Sequence, residues 1–258
     1  MIVYSAIVPH LPIVPEKNEG SASEVFDALH TISQHLYAAM PDTIILLCQS
    51  SVAQNKILVG NQDTYTTTFE SLGDFETMEE FGGDLELATS IISNVPHARL
   101  ATTQSDPLLQ EELSFVIHTL YHSKRLQPQI IPLSIPALSI KEFVRIGSAL
   151  EDVLQETTKR VAIITVGNGS ASSTPDSLFG MKKTSVAFEN DLQRFFSKPS
   201  FDYFETLIAN DVSTHQNILY PLILQYTCLH NLIKEYNVIA KNISYGISTY
   251  VVETKLRT

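Results

Sequence analysis

The sequence predicts an α/β fold: a single domain in which a central, mostly parallel or mixed sheet is flanked by helices on both faces. Three observations carry this. Apolar runs of strand length alternate with longer segments of helical periodicity from end to end. The strand-like runs, such as "DTIILLC" and "RVAIITV", are continuously apolar rather than alternating, the pattern of a sheet buried on both faces. No repeat, low-complexity linker or composition break divides the chain, so residues 1–258 read as one domain.

The elements follow in order. Residues 2–8 alternate as a strand into a Pro-rich turn. "SASEVFDALHTISQHLYAAM" pairs Ser21 with Glu24 in a capping pattern, then sets Phe26, Leu29, Ile32 and Leu36 at helical spacing. "DTIILLC" is a buried strand, followed by an irregular middle. "GGDLELATSIISNV" predicts a helix capped by Asp84, and "LLQEELSFVIHTLYH" another. "QIIPLSI" reads as a strand, "SIKEFVRIGSALEDVLQETT" as an amphipathic helix and "RVAIITV" as a strand. Helices are predicted at "TSVAFENDLQRFFS", "FDYFETLIAN" and "NILYPLILQYTCLHNLIKEY". The closing "NVIAKNISYGISTYVVETKL" holds two β-rich runs around Gly246, a hairpin or bend at a sheet edge.

Composition narrows the function. With 17 basic and 28 acidic residues the net charge is −11, which repels a phosphate backbone, so nucleic acid is excluded as a partner. No apolar run is long enough to span a bilayer, and "MIVYSAIVPHLP" lacks the basic region and cleavage site of a signal peptide. A cytoplasmic protein without a membrane partner is the expectation. Cys48 and Cys228 sit in apolar runs, where a thiol serves as a small buried hydrophobe.

Ligands of such sheets gather beyond strand C-termini, here near His10, Cys48 to Ser51 and Gly167 to Ser173. The loop "GNGSASS" has Gly167 and Gly169 but a serine, Ser172, where a dinucleotide fingerprint needs its third glycine, and no Gly-Lys-Ser/Thr of a P-loop. Nor is there a G-x-S-x-G elbow around Ser170, so a serine hydrolase is discounted. His118 and His122 share a helix face at zinc-ligand spacing, but Thr119 stands where a zincin has glutamate, so a solvated or partly buried face is the better reading.

Six segments, "AIVPHLPIVP", "PDTIILLCQSS", "LGDFETMEEFGGD", "SDPLLQEELSF", "VAIITVGNGSASSTPDSLFG" and "YGISTYVVE", resemble in order and spacing the LigB-type class III extradiol dioxygenases, a superfamily that also includes Memo-like proteins. The resemblance implies the LigB-like fold and, in active members, an Fe(II) held by two histidines and a glutamate that cleaves a catecholic ring with O₂. His10 matches the first ligand. Ser50, beside Ser51, takes the place of the second, a histidine of "SPHG". Asp106 is retained from a "DHG" whose histidine is Pro107. The family's "SGDLSH" aligns with residues 166–171, putting Asn168 for its aspartate, Ser170 before its histidine, and Ala171 in place of that histidine. His215 aligns with the last ligand.

The resemblance therefore implies a pocket lined by His10, Ser50, Ser51, Asp106, Asn168, Ser170 and His215, in which His10 and His215 are the candidate metal ligands. Two imidazoles without a third strong ligand do not make a facial triad, though zinc or nickel can bind them weakly. The favoured expectation is a homologue that has lost the iron site and binds a small molecule or a partner, with no cofactor. The alternatives are a metal-dependent enzyme built on His10 and His215, using zinc or Fe(II), and an active ring-cleaving dioxygenase. Family members commonly self-associate, which makes a homodimer an expectation.

Overall fold

The computed structural model describes residues 1–10, 21–50, 55–70, 73–100, 108–121, 127–175, 177, 180–210, 218–244 and 247–257. In chain order the elements are β1 (Ile2–Val8), α1 (Ser21–Ala39), β2 (Thr43–Gln49), β3 (Ile57–Val59), β4 (Thr64–Thr66), β5 (Glu80–Gly82), α2 (Leu85–Asn94), β6 (Ala98–Leu100), α3 (Glu111–Tyr121), β7 (Gln129–Ile135), α4 (Ile140–Glu156), β8 (Val161–Val166), α5 (Lys183–Ser197), α6 (Asp202–Ala209), α7 (Leu219–Leu229), β9 (Ile233–Ser244) and β10 (Ile247–Leu256). Eight strands form one mixed sheet in the order β6-β3-β7-β2-β8-β1-β10-β9, and β4 pairs with β5 beside it. The central strands β7, β2, β8 and β1 are parallel. Antiparallel pairing enters at both flanks, through β3 against β7 and through β10 against β1 and β9.

The continuously apolar strands are buried on both faces, as anticipated: all six residues of β8 and the first six of β2 are buried. One face, carrying Ile45, Leu47, Ile131, Leu133 and Ile163, packs on α2, α4, α5, α6 and α7. The other, with Ile44, Leu46, Ala162 and Ile164, packs on α1 and α3. Burial of this apolar area at roughly 25 cal/mol per Å² is the main stabilising term. Cys48 and Cys228 are both buried free thiols, and burial pushes the Cys48 thiol up to about 12. No helix among the described residues is long and apolar enough to cross a membrane.

Local chemistry sets the helix ends. Ser139 accepts the Glu142 amide while the Glu142 carboxylate takes the Ser139 amide, a full capping box for α4. Gly147 on α4 admits α7 closely, since a Cβ there would lie 2.3 Å from Thr227 Oγ1 and 2.7 Å from its carbonyl carbon. The helix anticipated through Tyr236 is shorter. It stops at Leu229, and the "IKEY" that follows opens β9, because ten residues of that strand pair with β10. The long-range ladder there outweighs local periodicity. The irregular middle contains β3 to β6, whose three-residue strands are too short to leave a periodic signal.

Asp84 ties the two sides of β2 together. Its carboxylate caps α2 through the Leu87 amide at 3.1 Å, accepts the Thr43 hydroxyl of β2 at 2.5 Å, and takes Lys159 Nζ at 2.6 Å. Burial pulls this carboxyl upward, but the hydrogen bonds from Lys159, Thr43 and Leu87 and the Lys159 charge prevail and hold it below its ordinary value. Because the folded pKa is depressed, the stabilisation is present above the unfolded value of about 3.9 and is lost as pH falls through the folded one. Asp84→Ala is expected to lower the unfolding free energy by about 3 kcal/mol at neutral pH, since it strands a partly buried ammonium and an orphan helix amide. Urea melts at pH 7 and pH 3 check this: the gap between wild type and variant should shrink at the lower pH.

Candidate functional site

Parallel β2, β8 and β1 end side by side, so their C-terminal loops share one edge of the sheet. His10 lies two residues past β1 and is buried, as are Asn168, Ser170 and Ser172 in the loop after β8. The Asn168 side-chain amide nitrogen stands 2.8 Å from His10 Nδ1, 158 residues away in sequence. Ser50 is half-buried at the neighbouring end of β2, its amide donating to the Ile135 carbonyl at 2.8 Å. His10, Asn168, Ser170 and Ser50 are thus brought to one edge, and His10 and Asn168 into contact. Ser51, Asp106 and His215 lie outside the described residues.

The loop is held from four directions. The Gly167 amide donates to the Val8 carbonyl of β1 at 3.0 Å, and the Ile218 amide at the head of α7 donates to the Asn168 carbonyl at 2.9 Å. Gly169 and Ser170 exchange backbone hydrogen bonds with Ser248 of β10, at 2.7 and 2.9 Å. From α5, the Glu189 carboxylate accepts the Ser170 amide at 2.6 Å, the Ser248 hydroxyl and, at 2.5 Å, the Tyr250 hydroxyl. Lys241 Nζ sits 3.8 Å from the same carboxylate and over the Tyr250 ring. Burial first, and the Glu189 charge second, push the Tyr250 phenol far above its ordinary range, so it stays a hydrogen-bond donor.

This network answers why the loop carries glycine. A Cβ on Gly169 would lie 2.5 Å from Glu189 Oε1 and 2.6 Å from Ser248 Oγ. The glycine makes room for a carboxylate of the chain itself. Glu189 is the residue that sequence reasoning missed. Its signal was a lone acid on the apolar stripe of α5, spaced three and seven before Leu192 and Phe196, both buried.

Chemically, the described edge offers amides, hydroxyls and one imidazole. With the Asn168 amide donating to Nδ1, the neutral ring carries its proton on Nε2, leaving neither nitrogen as a ligand lone pair. Asn168 Oδ1 is buried without a hydrogen-bond partner. Turning the amide over would place that oxygen on Nδ1–H and leave the Nε2 lone pair as the donor of a single imidazole. Among the described residues no group of three His, Cys, Asp or Glu converges. The described donors by themselves do not make an Fe(II) triad, because the serine hydroxyl and the amide are weak neutral ligands beside imidazole.

The remaining candidates have separate settings. His118 Nδ1 lies 3.1 Å from Glu79 Oε2 with Phe69 packed edge-on at 5.3 Å, a partly buried helix face; His122 is outside the described residues. Of the aromatic residues from β4 to β5, Phe69 and the β5 residue Phe81 are buried while Phe75 is exposed.

Comparison with known proteins adds three findings. The family model described as the catalytic LigB subunit of aromatic ring-opening dioxygenase matches residues 4–220. The crystal structure of uncharacterized protein JW3007 from Escherichia coli K12 shares 14% identity, with a TM-score of 0.67 over 98% of this chain and 99% of that one, a likeness of fold alone. No curated protein matches.

Glu189→Ala is expected to cost about 3 kcal/mol by removing the shared acceptor of the Ser170 amide and the Ser248 and Tyr250 hydroxyls, of which Ser248 keeps only its longer bond to the Ser170 carbonyl, and to raise hydrogen exchange at the Gly169 and Ser170 amides ahead of the rest of the sheet. Glu189→Gln, which keeps one oxygen acceptor, should lose less on both measures. Equal exchange at those two amides in wild type and both variants would refute the role.

Proposed function

The chain belongs to the LigB family of aromatic ring-opening dioxygenase subunits, and on that premise we propose that its pocket has exchanged iron and proton-transfer chemistry for the binding of a small polar molecule. The observation that carries this reading is the 2.8 Å contact between the Asn168 amide and His10 Nδ1. By the family resemblance that amide occupies the position of an aspartate, and Ser50 that of a ligand histidine. An amide neither titrates nor carries charge, so it moves no proton in catalysis at neutral pH. Instead it fixes the ring, and the same pair offers a ligand neutral donors and acceptors. Ser50, Ser170 and Asn168 suit a neutral or weakly anionic polar molecule, which their hydroxyl and amide dipoles can orient without desolvating a fixed charge.

By the same resemblance Fe(II) would supply O₂ activation in an active member. In this chain His10 is the one described residue of the matched ligand positions that keeps an imidazole. The test is metal content by mass spectrometry on untagged protein reconstituted anaerobically with Fe(II), for wild type and His10→Ala. Both are expected to hold well below one equivalent of iron and to consume no O₂ with catechols. One equivalent in wild type, lost in His10→Ala, would overturn the proposal. The binding half is read by thermal shift across neutral and weakly anionic polar compounds, with stabilisation by a hit expected to vanish in Asn168→Leu.

A further inference from the structure

The loop after β8 carries the one Asn-Gly pair of the chain, Asn168 and Gly169. Asparagine followed by glycine is the pair most prone to lose ammonia, because glycine leaves the next peptide nitrogen unshielded. The step balances without a redox partner. The Gly169 nitrogen gives its proton to water or hydroxide and attacks Asn168 Cγ, closing a succinimide ring. The bond from Cγ to Nδ2 breaks, and that nitrogen takes a proton from solvent and leaves as ammonia. Water then adds to one carbonyl of the ring, which opens to aspartate or isoaspartate.

Two observations tie this chemistry to the fold. Glycine stands at 169 because Glu189 leaves room for nothing larger: a Cβ there would lie 2.5 Å from Glu189 Oε1. The packing that needs the glycine therefore also creates the labile pair. The same packing withholds what the reaction requires. The peptide unit joining the two residues is bonded at both ends, its carbonyl accepting the Ile218 amide at 2.9 Å and its N–H donating to the Ser248 carbonyl at 2.7 Å. The proton that must be lost is thus held by Ser248, and Asn168 and Gly169 are both buried, away from the water that takes it and later opens the ring. The Asn168 side chain is held in turn at 2.8 Å from His10 Nδ1. Ring closure depends on free approach of nitrogen to Cγ, so these bonds have to open first.

We propose that Asn168 is a self-modification site kept shut by the hydrogen-bonded frame around Glu189, and that opening of this loop converts it to an acidic residue. Conversion replaces the neutral amide facing His10 by a negative charge, so the pocket stays neutral for as long as the frame holds. This is independent of what the pocket binds. The full chain is incubated in mildly alkaline buffer, and peptide mass spectrometry follows conversion at residue 168. Native wild type is expected to keep its amide, while wild type unfolded in guanidinium chloride converts readily. Glu189→Ala should convert at least about tenfold faster than native wild type, because the open loop is more populated, with Glu189→Gln in between. Ser248→Ala covers the case in which a Glu189 variant fails to fold, since it takes one hydroxyl from the carboxylate and leaves the Ser170 amide and the Tyr250 hydroxyl on it. It should convert faster than wild type with little change in melting temperature. Conversion of native wild type at the unfolded rate, or equal rates for native wild type, Glu189→Gln and Ser248→Ala, would overturn the proposal.

Discussion

The parallel pairing of β7, β2, β8 and β1 is the constraint on which the rest of this protein depends. These strands are buried on both faces, so nearly every side chain along them has to be apolar. Polar exceptions are matched from outside: Gln225 of α7 donates to Ser5 Oγ and to the Ala6 carbonyl. Polar chemistry is thereby driven to the strand ends, where backbone groups leave the ladder and loops begin. The candidate site described above obeys this, gathering at the C-terminal ends of β1, β2 and β8.

A second level of organisation holds the loop after β8 in place. That loop has little apolar side chain to bury, and its shape comes from hydrogen bonds to four surrounding elements. Glu189 is central because a buried carboxylate needs several donors, and three converge on it from the loop and β10, with Lys241 near enough to offset its charge. The result is a rigid frame around Asn168. The loop and β1 are separately fixed, and that brings the Asn168 amide to the His10 ring.

Much of the fold was legible in residue patterns. The strands of residues 2–8, 43–49, 129–135 and 161–166 and the cap Asp84 follow from local chemistry that needs no partner to be recognised. What escaped was non-local. β3 to β6 are too short to show a period, and β9 replaces the tail of an anticipated helix because β10 lies beside it. His10, Ser50, Asn168 and Ser170, which the structure brings to one edge, were picked out by their places in family motifs. Glu189 was not, since those motifs do not include it and an acid in a helix reads as solvated.

The sequence by itself determined the class of architecture, the apolar strands that form its centre and the family to which the chain belongs, because each is written in periodicity or in ordered motifs. Only the tertiary structure decided that Asn168 faces His10 and that Gly169 is small to admit the chain's own carboxylate. These are relations between residues 20 or more positions apart, in the first case 158. Distances of that kind are set by how the layers pack, and no local pattern encodes them.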